Sequence, residues 1–204
     1  MFFRFLTYNK FKENKWKRLN PKKRLRAFQK LENIQAKKLG RPACKVIART
    51  WEENPNMNGQ FSSGNNTIEL NTKFIMENNM RFFGMATLFH EGRHAYQNYL
   101  CYGGKKVRRF SKAYKWKKNF QGYVNGENDK YSFYSMQPIE RDANKYAIIR
   151  LKNFRHRFRK DKIFKATLER KIEEFADVKD LAKKELGMFY KLRVALRNRK
   201  ERRR

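Results

Sequence analysis

Two of the chain's three histidines, His90 and His94, stand four residues apart in ATLFHEGRHAYQ, residues 86–97, with Glu91 directly after the first. On an α-helix this spacing puts both imidazoles on one face, one turn apart, where their ring nitrogens can meet a single cation about 2 Å away. A chain that uses the pair this way must fold a helix here with one side packed and the other open. At about 100° per residue, Met85, Leu88, Gly92, Ala95, Tyr96 and Tyr99 gather opposite the histidines, while Ala86, Gln97 and Cys101 share the histidine side. The pattern predicts a core helix with a packed face and a cleft-lining face. Gly92 falls in the packed stripe, where its missing side chain lets a backbone or bulky ring approach, against about 1 kcal/mol of lost helix propensity. Glu91, rotated about 100° from His90, cannot easily join the pair but can reach a metal-bound water, which suits it to act as general base.

A catalytic zinc site needs a third protein ligand and leaves its fourth position for water. Cys101 lies seven residues beyond His94, about 10 Å along the helix axis, too far to share the ion. His156 sits in NFRHRFRKDK, where flanking arginines oppose a cation and suit a surface or phosphate-facing role. Glu140 in QPIERDANKYA fits better: Gln137 and Pro138 open a helix, Glu140 occupies its first turn, and Asn144 follows one turn later on the same face. Asn144 is then placed to accept the second ring N–H of His90 or His94. Asp142, on another face, reads as a charge partner for the helix N-terminus.

Around these motifs the chain reads as α+β and mostly helical. NPKKRLRAFQKLENIQAKKLG has a capping Asn20, Pro21 in the first turn, Leu25, Phe28, Leu31 and Ile34 at helical spacing, and Gly40 at its end. CKVIARTW and TIELNT read as two strands of a small antiparallel sheet, separated by the turn-rich EENPNMNGQFSSGNN. Helix is expected again from about residue 71 to 100, then long loops with one short helix between Gly103 and Pro138. Helices dominate from Pro138 onward. The expected division is a basic leader over 1–19, a core domain over 20–150, and a basic helical extension with a frayed tail over 151–204.

HEGRHAYQ followed at a distance by ERDANKYA resembles the gluzincin zinc metallopeptidases, and among them the compact ImmA/IrrE-like proteins, in which HExxH is followed by an E-x-x-A-N-x-F/Y-A helix. GNNTIELNTKF resembles the edge strand that such proteins place before the active helix. The resemblance covers about residues 20–150. It implies a zincin-like (minigluzincin) fold, Zn2+ held by His90, His94 and Glu140, Glu91 activating a zinc-bound water, and an extended protein or peptide substrate along the edge strand. It further suggests cytoplasmic cleavage of a nucleic-acid-associated protein, such as a mobile-element repressor. Arg93 departs from the pattern by placing a charge inside HExxH; Tyr131, Tyr134 and Tyr146 are the candidates for stabilising an oxyanion.

Charge admits other readings. Fifty-one Lys and Arg against nineteen Asp and Glu leave a net charge of +32, a field that attracts polyanions. KKVRRFSKAYKWKKNF interleaves cations with Phe110, Tyr114, Trp116 and Phe120, a mixture suited to phosphates and stacked bases. A nucleic-acid-binding protein binding nonspecifically through this basic surface, or a catalytically silent scaffold using the same cleft, are the alternatives to a protease. At 40% hydrophobic and 15% aromatic residues the chain still has material for a core. Cys44 and Cys101 lack CxxC spacing and read as buried free thiols, and no stretch approaches the roughly 20 apolar residues of a membrane span.

Overall fold

Asn20 accepts a hydrogen bond from Lys23 N at 2.9 Å, Pro21 takes the first helical position, and Gly40 closes the helix in the left-handed region at φ 66°. These signals bound a helix where the sequence places it. In the computed structural model, which describes residues 7–104, 106–123, 131–178 and 180 (with no side chains for 131–133), the elements run α1 Glu13–Trp16, α2 Pro21–Leu39, β1 Lys45–Arg49, β2 Gly59–Ser62, β3 Thr67–Asn71, α3 Lys73–Met76, α4 Arg81–Tyr102, α5 Lys112–Gln121, α6 Tyr131–Met136 and α7 Pro138–Lys152. A further helical run, α8, spans residues 162–178. The class is α+β. Residues 181–204 of the expected extension and tail lie outside the described residues, as do residues 1–6 of the leader. Among the described residues, no helix is long and apolar enough to cross a membrane.

The sheet departs from expectation. It has three strands in the order β1-β3-β2, with β1 parallel and β2 antiparallel to β3. TIELN is therefore the central strand, buried at all five positions, and the edge facing away from β1 is β2, a four-residue strand inside the stretch that reads as turns. The β2–β3 hairpin pairs Ser62 with Thr67 and Phe61 with Ile68 across a turn containing Asn66 at φ 50°. The small antiparallel sheet becomes a small mixed one because the chain makes its hairpin with β2, leaving β1 to approach β3 in the same direction. Gly59 allows β2 to lie close: a Cβ there would stand 2.6 Å from Thr87 Cγ2 on α4 and 2.8 Å from the Glu69 carbonyl oxygen.

The helical stretch expected from about residue 71 to 100 is broken by extended backbone at Glu77 into α3 and α4. Arg24, buried on α2, closes that break by donating to the carbonyls of Ile75 at 2.8 Å and Met76 at 2.9 Å and to Asn78 Oδ1 at 2.6 Å.

Residues on both sides of the expected boundaries near 20 and 150 share one core. Phe11 and Trp16 pack with Phe28 of α2, while Phe154, Phe158 and Phe164 pack with one another and with Phe82 and Phe89 of α4. Such rings contribute about 1.5–3 kcal/mol each through burial alone. Arg81 binds the parts together: its Nε donates to the Phe11 carbonyl at 3.0 Å, Nη1 to the Asn78 carbonyl at 2.7 Å, and Nη2 to Asp161. Asp161 in turn caps α8, its Oδ1 accepting from Ile163 N and Phe164 N at 3.1 and 3.2 Å.

Candidate metal centre

The long helix α4 carries HExxH across the middle of the domain. Below it, Gly92 seats the helix on a buried ion pair: a Cβ would lie 3.0 Å from Arg41 Nη2 and 3.3 Å from Glu32 Oε2. The close neighbour is thus a guanidinium–carboxylate pair, in place of the backbone or ring expected from the apolar stripe. Arg41 donates to Glu32 Oε1 at 2.6 Å and Oε2 at 3.0 Å, and Cys44 N adds a third bond to Oε1 at 2.9 Å. Burial does not follow the expected two faces either. Ala86, Gln97 and Cys101 on the histidine side are buried, because α5 and α7 cover that side beyond the cleft.

Glu140 enters from the first turn of α7. His90 Nε2 lies 2.9 Å from His94 Nε2 and 3.2 Å from Glu140 Oε2, and His94 Nε2 lies 3.3 Å from Glu140 Oε1. Three ligands held tetrahedrally at 2.0–2.1 Å from one ion stand about 3.4 Å apart, so the group is already near that spacing. It is the one group of this kind among the described residues. Glu140 is 1% exposed, and its buried Oε2 has no hydrogen-bond partner, a demanding position for a carboxylate oxygen unless it faces a cation. Burial alone would raise the Glu140 pKa, but His94 and His90 outweigh it and hold the carboxyl well below its usual range. Burial would likewise lower His94, yet the charge of Glu140 brings its pKa up to about 9.

Behind the ligands the support differs from expectation. His94 Nδ1 meets Gln97 Oε1 at 2.8 Å, which holds a ring proton on Nδ1 and leaves Nε2 as the atom that faces Glu140. Asn144 lines the cleft without hydrogen-bonding either histidine, so the outer-shell role assigned to it belongs to Gln97 for His94. Gln97 Nε2 donates to the Ile139 carbonyl and to Asp142 Oδ2, both at 3.0 Å. Asp142 is more than a helix N-terminal charge: it also accepts from Arg93 Nε at 2.6 Å and from Lys112 Nζ, joining α4, α5 and α7 at one carboxylate. Arg93, the residue out of pattern within HExxH, points into this joint, with its guanidinium 4.7 Å from the Tyr96 ring centroid and 5.0 Å from that of Tyr146.

The cleft over His90, His94 and Glu140 encloses about 770 Å³. Glu91 lines it, 8% exposed, and among the described residues its carboxylate accepts no hydrogen bond. One wall is the open side of β2, from Asn58 to Phe61; another is α8, through Lys171, Glu174, Phe175 and Val178. Of the tyrosine candidates, Tyr134 borders the cleft, Tyr146 instead donates to Gln35 Oε1 at 2.7 Å, and the Tyr131 side chain lies outside the described residues. Tyr123, in the glycine-flanked loop and not singled out by any motif, donates to Glu140 Oε1 at 2.9 Å. Burial first, then the Glu140 charge, raises both Tyr123 and Tyr134 above the usual phenol range, keeping them protonated donors. Cys101, buried, donates to the Ala113 carbonyl at 3.3 Å and stays apart from the centre, as expected from its distance along α4.

Compared with family models, curated proteins and solved structures, the chain matches none.

Proposed function

We propose that this protein is a zinc-dependent endopeptidase of the zincin-like, minigluzincin kind, with His90, His94 and Glu140 as metal ligands and Glu91 as general base. The observation that carries the proposal is the convergence of the three side chains, with His90 Nε2 2.9 Å from His94 Nε2 and 3.2 Å from Glu140 Oε2, His94 Nε2 3.3 Å from Glu140 Oε1, and Gln97 orienting one imidazole from behind. A bound zinc ion would polarise the scissile carbonyl and make a water acidic enough to be deprotonated near neutrality. Glu91, in the cleft with its carboxylate free to accept, is the residue that would take a proton from an attacking water and return it to the leaving amine. Tyr134, whose phenol shares a hydrogen bond with Tyr123 on the cleft wall, is the tyrosine candidate placed to turn toward the carbonyl oxygen. The open edge of β2 offers main-chain groups to an extended peptide, and α8 bounds the other side of the space.

Two results test the ligand set. Purified protein is expected to carry about one zinc per chain by mass spectrometric metal analysis, and Glu140→Ala to lose most of it. Equal metal content in the two proteins would remove Glu140 from the set. Gln97→Leu is expected to weaken zinc binding by about 10–100-fold in a chelator competition, through loss of His94 orientation. Unchanged affinity would show that the Gln97 contact does not tune the ligand. Zinc retained without cleavage of any peptide tested would favour the silent scaffold over the hydrolase.

A further inference from the structure

His156, the third histidine, takes no part in the metal centre. With Asn9, Lys12, Asn153, Arg157 and Arg159 it surrounds a second concavity of about 470 Å³. None of the six is acidic or apolar. Asn153 is the C-cap of α7, whose first turn holds Glu140, so at 1.5 Å per residue the concavity lies about 20 Å along that helix from the metal ligands. The two sites are separate.

The wall of this concavity is held by the core. Phe154 and Phe158, 5% and 3% exposed, anchor the 153–160 segment from inside, and the Arg157 guanidinium lies 5.3 Å from the centroid of Tyr8, which packs edge-on against Phe154. The cations are therefore displayed on a rigid rim. The nearest acids in sequence are engaged elsewhere, Glu13 with Lys17 at 2.6 Å and Asp161 with Arg81. Positive charge continues sideways: Lys10 has its pKa lowered by burial and then by Lys30, Arg26 and Lys23 of α2. Asn9 adds an amide whose Oδ1 is shut off from solvent and has no hydrogen-bond partner.

We propose that this concavity binds the phosphodiester backbone of a nucleic acid. Guanidinium forks, an ammonium, an imidazole and amides are the groups that position phosphate oxygens, and with no base-reading element beside them the binding is independent of sequence. A membrane surface fits less well, since a bilayer-seated face needs apolar side chains among its cations and this lining has none. The site stands whether or not the cleft nearer the start of α7 cleaves peptides.

The test measures fluorescence anisotropy of a labelled DNA duplex of roughly 20 base pairs against rising salt, for the full-length protein and two double variants. Lys12→Glu/Arg159→Glu alters the concavity, and Arg108→Glu/Lys115→Glu alters the cation-rich segment before and within α5; all four residues are exposed, and each pair reverses two charges. The concavity pair is expected to weaken binding about tenfold or more near 150 mM salt and to flatten the log–log salt dependence by about 2, while the other pair stays within about twofold of wild type. Equal weakening by both pairs would overturn the proposal in favour of diffuse attraction. So would an absence of DNA binding, or binding only to phosphatidylserine vesicles that the concavity pair abolishes. If the double reversal disturbs thermal unfolding, Lys12→Gln/Arg159→Gln is compared with Arg108→Gln/Lys115→Gln by the same criteria.

Discussion

Glu91→Gln is expected to leave the protein folded and zinc-loaded while lowering kcat/KM for peptide cleavage by at least about 10²–10⁴-fold. The expectation follows from where the carboxylate sits. Glu91 lines the cleft beside His90 and His94 and is spared the ion pairs that occupy Glu32, Glu69 and Asp142, so its lone pairs remain available to a water proton. Glutamine preserves the shape and removes the capacity to take that proton. Fluorogenic peptide cleavage and metal content measured on the same preparation give the answer, and full activity in a zinc-loaded Glu91→Gln protein sinks the general-base assignment.

Glu32→Ala is expected to cost about 3–5 kcal/mol of folding stability, the range for removing one partner from a buried ion pair. Both side chains are out of solvent, at 1% for Arg41 and 0% for Glu32, and the substitution would leave a guanidinium and the Cys44 N–H without their carboxylate. Because Gly92 rests on this pair, the disturbance falls directly beneath HExxH. Chemical denaturation of the single variant and of Glu32→Ala/Arg41→Met measures it; the double variant is expected to recover part of the loss, since no uncompensated charge stays buried. A cost below about 1 kcal/mol for the single change would mean that water or another group takes over the guanidinium.

The convergence of His90, His94 and Glu140 was legible because helical spacing alone brings His90 and His94 together, and because the Gln137–Pro138 start fixes the turn on which Glu140 lies. What supports the ligands was not. Gln97 could be placed on the histidine side, but nothing in its spacing separates it from Asn144 as the hydrogen-bond partner; that depends on how α7 crosses α4. Arg93 looked like an intruder because its partner, Asp142, lies 49 residues away and its ring neighbours come from three elements. The hairpin was hidden by composition: β2 is four residues long, begins with glycine, and shows no apolar alternation, so turn chemistry dominated the reading. A parallel β1–β3 pair likewise leaves no local mark. Tyr123 and the cleft face of α8 reach the centre only through tertiary folding.

The shortness of β2 has a bearing on how the molecule behaves in a crowded solution. Four residues extend for only about 13 Å, room for a brief stretch of main chain to dock and too little to template the stacking of one copy upon another. The strand proposed to receive a guest chain is, by its brevity, a poor seed for fibres.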